Sequence, residues 1–152
     1  SSWPVCFCGA RADVIRSAIT NGLALPADVH DSRSLAGRLF TSPTVRYAGL
    51  GVFAGAAEFE WGGRRLAGQA VLQCRQRPGS FTVQAESIGL AKHRKVICPA
   101  LADQGAIEWV TQDRTSLAPF AVLVRVFEPG RPPDHFEGLM GGGRFNHLKS
   151  TQ

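Results

Sequence analysis

Residues 6–23 read CFCGARADVIRSAITNGL. Cys6, Phe7 and Cys8 form a short apolar run that closes on Gly9. Beyond it Val14, Ile15, Ala18 and Ile19 recur at one-turn spacing, and Gly22 stands where a left-handed helix cap is expected. The reading is a strand that ends at a glycine and runs straight into an amphipathic helix of about three turns. Such a junction commonly carries ordinary turn residues, so the presence of Cys8, Gly9 and Arg11 there asks for a reason.

Working outward, residues 23–37 mix Pro, Asp and Ser without periodicity and read as a surface loop. RLFTSP (38–43) is a brief strand that Pro43 must end, because proline lacks the amide donor of a strand yet suits the first turn of a helix. A second short helix is expected from near Pro43 to no further than Gly51. The later chain changes character. RLAGQAVLQCRQ, SFTVQAES, IEWVTQ and PFAVLVRVFE are β-rich runs separated by Pro-Gly, Gly and Ser/Thr turn signals, at the spacing of an antiparallel sheet. The order strand, helix, strand, helix, then strands gives an α+β class. From Pro129 the chain turns Pro- and Gly-rich and loses all periodicity, so the expected organisation is one domain over 1–128 and a tail over 129–152. There is no internal repeat.

A chain of 152 residues suits one domain with a real core, and 44% hydrophobic with 19% charged residues is the composition of a soluble globular protein. No apolar run approaches the roughly 20 residues of a membrane helix. No basic segment followed by an apolar core opens these residues, so an intracellular location, cytoplasmic or nuclear, is expected. Cys6, Cys8, Cys74 and Cys98 are too sparse for a disulfide scaffold and read as thiols. Cys-x-Cys with two distant cysteines is the sharper alternative, a zinc site, but the usual CxxC knuckles are missing and no metal is expected. The net charge of +5 would suit an anionic partner; however, the 17 basic residues are scattered, and the densest run, KHRK at 92–95, has no aromatic beside it to stack a base.

Three segments resemble, in order, the three motifs of poly(ADP-ribose) polymerase-like, diphtheria-toxin-like ADP-ribosyltransferases: FCGAR (7–11), LFTSPTVRYA (39–48) and IEWVTQDRTSLAPFAVLVRV (107–126). The flavour is similar to the C-terminal domain of neuralized-like proteins. The resemblance implies a split antiparallel β-sheet core with short helices, NAD as substrate, and transfer of ADP-ribose to a protein or a nucleic-acid acceptor. By the same resemblance Glu108 is the catalytic residue, and the NAD-binding positions are Cys8, Gly9, Arg11, Phe40, Thr44 and Tyr47. Two of these depart from the family pattern, since Cys8 stands where the family has His and Phe40 where it has Tyr. Of that triad only the Glu remains.

Each residue also has a plainer reading. Gly9 lacks a Cβ and could let its backbone approach a flat carboxamide, or it is a turn glycine. Tyr47 could stack on a pyridinium ring, or it is an interior tyrosine of the second helix. Strand alternation sets Glu108 opposite Trp109 and beside Val110, and an inward carboxylate is costly without partners, which marks a site candidate; an exposed strand Glu is the alternative. Arg11 is a planar donor fork for a phosphate near a helix start, or a solvated side chain. A thiol at Cys8 is a much weaker donor than an imidazole and often behaves as a small buried hydrophobe, so NAD affinity should suffer. Three functions are therefore in play. The first is mono-ADP-ribosyl transfer centred on Glu108, the second a catalytically silent module of the same fold, and the third a basic nucleic-acid binder whose affinity falls steeply with salt.

Overall fold

The computed structural model describes residues 2–11, 38–89 and 96–130. The helix expected after Arg11, the loop over 23–37, the KHRK run and the tail beyond 130 lie outside the described residues.

Among the described residues seven strands form two antiparallel sheets: β1 (Val5–Ala10), β2 (Leu39–Thr41), β3 (Ala57–Trp61), β4 (Arg64–Gln76), β5 (Thr82–Gln84), β6 (Glu108–Thr111) and β7 (Leu117–Phe127). One α-helical turn, α1 (Val45–Ala48), and two 3-10 turns (Gln104–Ala106 and Arg114–Ser116) complete the described secondary structure. The protein is thus mostly antiparallel β-sheet with few short helices, an α+β arrangement in which strands dominate.

The 13-residue β4 organises the larger sheet. One of its edges pairs with β7 from Ala67 to Gln76; the other pairs first with β3 (Arg64 to Gly68) and then with β1 (Ala70 to Arg75), so β1 and β3 lie end to end. The smaller sheet has the order β2-β6-β5. Phe7 and Ser42 join the two through reciprocal backbone hydrogen bonds of 2.8 and 2.9 Å.

Alternation along β1 and β4 separates two cores. Cys6, Cys8, Ala10, Leu72 and Cys74 face Leu39, Leu117 and the flank of Trp109 between the sheets. On the other face, Phe7 and Val71 pack with Ala48 and Ala54. A third cluster of Tyr47, Leu50, Ile97, Cys98 and Ile107 gathers beside α1. A fully buried Leu72 contributes roughly 1.5–3 kcal/mol of transfer free energy, so these clusters hold the sheets together.

Three sequence expectations change. The first strand does not end at Gly9; it runs through it to Ala10, with Gly9 paired to Val71 inside the ladder. Pro43 lies just outside α1, whose N-cap is Thr44, accepting from the Arg46 amide with its hydroxyl. The third is an addition, β3, joined to β4 by Gly62 and Gly63 at φ 58° and 74°. Two consecutive residues in the left-handed region are what a type I′ hairpin turn requires, and glycine adopts them without strain.

Candidate functional site

Of the residues that the motifs pick out, Tyr47 meets Glu108. Glu108 opens β6, and alternation turns it inward while Trp109 takes the other face and stacks on Phe81. Only 1% of Glu108 is exposed. Its carboxylate accepts three hydrogen bonds: Oε1 from Gln84 Nε2 at 2.6 Å, and Oε2 from the Tyr47 hydroxyl at 2.8 Å and from Ser87 Oγ at 3.0 Å. Among the described residues no arginine or lysine forms a salt bridge with it. Among the described residues only neutral donors hold this buried side chain, and with about four lone-pair sites on a carboxyl group one acceptor position remains.

The local sequence explains each donor. Gln84 is directly opposite Glu108 in the antiparallel β5–β6 register, so their side chains share a face. Tyr47 is the third residue of α1, whose single turn is set by Ser42 Oγ accepting from the Thr44 amide and by the Thr44 cap. That geometry brings Tyr47 and Glu108, 61 positions apart, into contact. Burial, reinforced by the hydrogen bond to Glu108 and the negative charges of Glu108 and Glu86, raises the Tyr47 phenol far above its ordinary range. Its ring is 3% exposed and packs at 5.1 Å centroid separation, tilted 56°, against Phe53.

The other named positions divide. Thr44 caps the turn that carries Tyr47 and has its Oγ1 3.3 Å from Cys98 Sγ, with no hydrogen bond to the Glu108 carboxyl among the described residues. Gly9 lies against the chain following α1: a Cβ there would meet Ala48 O at 2.4 Å and Phe53 Cβ at 2.6 Å. Close backbone approach is thus what requires this glycine. Cys8 belongs to the apolar core between the sheets, with Leu39, Leu72 and Cys74, on the β1 face away from Phe7 and Gly9; it is not among the groups around Glu108. Phe40 is half-buried in β2 opposite Val110. Arg11 is exposed, one residue beyond β1. All four cysteines are free and buried, and the described residues hold no group of three or more His, Cys, Asp or Glu able to bind a metal. Among them, too, no helix is long and apolar enough to cross a membrane.

Gln84 and Ser87 were not legible as partners of Glu108. TVQAES reads as an ordinary strand with polar alternates, and only the register of two strands more than 20 positions apart sets Gln84 across from Glu108. No family, curated protein or solved structure matches the chain.

Proposed function

We propose that this chain is a mono-ADP-ribosyltransferase-like domain of the split-sheet type, acting on NAD through Glu108. The observation that carries the reading is the Glu108 carboxyl group itself, 1% exposed and, among the described residues, without an ion pair and held by three neutral donors. Taking a carboxylate out of water costs several kcal/mol, and buried, oriented carboxylates concentrate where charge is used. Such a group suits a ribose hydroxyl, whose proton the remaining acceptor position takes, and a ribosyl carbon that becomes cationic as its glycosidic bond breaks. Nicotinamide leaves with the bonding pair, an acceptor nucleophile on a protein or nucleic acid takes its place, and the acceptor's proton passes to solvent. Tyr47 serves here through its hydroxyl, orienting Glu108, because its ring already packs on Phe53.

The test is nicotinamide release and ADP-ribose transfer by the parent and by Glu108→Gln. The substitution keeps the fold: the new amide oxygen accepts from Gln84, and its NH2 donates to Tyr47 and Ser87 hydroxyls that rotate to accept. Activity should fall by about a hundredfold or more. Equal turnover in the two proteins refutes the role of Glu108.

A catalytically silent module is the second reading, favoured by the position of Cys8. With that side chain in the apolar core, nothing at the first motif stands in for the family's imidazole. Calorimetric titration separates the readings: saturable NAD binding without turnover supports a silent nucleotide-binding module, and no binding supports a domain for protein interaction.

A further inference from the structure

Among the described residues one end of a face of the larger sheet has no covering element. Where Ala70, Leu72 and Cys74 lie, that face is covered by Leu39 and Trp109 of the smaller sheet. Further along, the same alternation brings Phe59 and Trp61 of β3 and Val124 and Val126 of β7 to the surface, and no described element covers them. Trp61 is 75% exposed and Val126 52%. Grouped apolar side chains of this kind mark contact surfaces, and tryptophan is enriched among the residues that dominate binding.

Among the described residues this face ends at an unpaired strand edge. The Gly62-Gly63 turn makes Trp61 and Arg64 the pair that closes the hairpin, so the backbone groups of Ala57, Phe59 and Trp61 point toward β4. The same parity holds further along β4, where the Gln76 amide donates to Pro4 on this edge and the Arg77 amide donates to Ser116 on the opposite one. The N–H and C=O groups of Glu58 and Glu60 therefore point outward, and no other described strand pairs with them. Their side chains lie on the face opposite Phe59 and Trp61. Glu58 is bonded to Arg65; Glu60 has no cationic partner among the described residues.

A second copy is a poor occupant. Antiparallel pairing of two β3 strands about Phe59 would set Glu58 directly against Glu60 of the other copy, twice, and like charges opposite one another are destabilising. A strand with basic residues at those two positions, and apolar residues between them to lie on Phe59 and Trp61, satisfies both faces and the backbone together. We propose that the outer edge of β3 takes up an extended segment of another protein, alternating basic and apolar residues, by strand addition. This surface shares no residue with the Glu108 centre and does not depend on the reading given to it.

The experiment is fluorescence anisotropy of the whole chain with three labelled peptides: one alternating lysine and valine, one of the same composition arranged in blocks, and one alternating glutamate and valine. The alternating basic peptide should bind saturably and the other two should not. Glu60→Lys and Trp61→Ser, both at exposed positions and checked for native circular dichroism, should each weaken binding by about tenfold. Equal binding of the basic alternating and block peptides, no binding at all, or affinity unmoved by both substitutions overturns the proposal. So does a dimer in sedimentation that Trp61→Ser dissociates, which would make the occupant a second copy.

Discussion

A methyl group on Gly9 would stand 2.4 Å from the Ala48 carbonyl oxygen and 2.6 Å from the Phe53 Cβ. The first of these is backbone and the second is attached directly to it, so neither retreats by a rotamer change. Gly9→Ala should therefore push β1 away from the turn that presents Tyr47, at a cost of about 3 kcal/mol or more, read as a lowered denaturation midpoint. Unchanged stability would mean that the contact is not maintained in solution. The same residue shows what was legible at this scale. That a glycine was needed there could be read from the sequence; that the need comes from a second segment of backbone, and not from a turn, could not, because the approaching chain lies some forty positions away. Glu108 is the converse case. Alternation sets it on the face opposite Trp109, which the fold retains; that this face is the inward one shows only in the packed structure.

Among the elements, β2 and β4 are tied across the sheets by Thr41 Oγ1, which donates to Gln76 Oε1 at 2.7 Å, while Gln76 Nε2 is buried without a hydrogen-bond partner. An unmade bond at a buried donor costs about as much as several made ones contribute, so this tie is finely balanced. Thr41→Val leaves both ends of the buried amide unpaired and should cost about 1–3 kcal/mol. Gln76→Met removes the orphaned donor with little change in volume and should be neutral within about 1.5 kcal/mol, or stabilising. In the Gln76→Met background, Thr41→Val should then cost less than it does alone; additive losses in the cycle would show that the two side chains are not coupled. The long β4 and β7 could be read as β-rich runs set off by turn signals, and a short helix could be placed near Pro43, though not its cap at Thr44. The hairpin strand β3 was missed although Glu58-Phe59-Glu60-Trp61 alternates strictly before Gly62-Gly63, the pattern of a two-residue hairpin. The division into two sheets could not be read, since the partner of β2 is β6, almost seventy positions later, and pairing over that separation leaves no local signature.

For the molecule as a whole, the Glu108 centre couples folding to alkaline pH. Tyr47 is the only tyrosine in the chain, and burial with its bond to Glu108 holds its phenol far above the usual value. In the unfolded chain it titrates near about 10. Above that pH the unfolded state releases a proton that the native state keeps, so the native state binds more protons and stability falls as pH rises. Below it both states are protonated and the contribution is fully present. The slope should approach about 1.4 kcal/mol per pH unit from this group alone. The hydrogen-bonded, buried Cys6 and Cys74 thiols also respond in this range, the first held below its ordinary value and the second above it, so their contributions oppose one another. The parent must therefore be compared with Tyr47→Phe. That variant loses the hydroxyl that donates to Oε2, leaving Ser87 and Gln84, and so begins less stable by about 1–3 kcal/mol. Denaturant midpoints taken across the alkaline range should converge, the parent losing stability faster than the variant. Phenolate absorbance supplies the independent check. The native parent should show none at a pH where the denatured chain is fully ionised, and a native phenolate appearing near pH ~10 would show that Tyr47 is open to solvent and that the Glu108 centre is not closed as described.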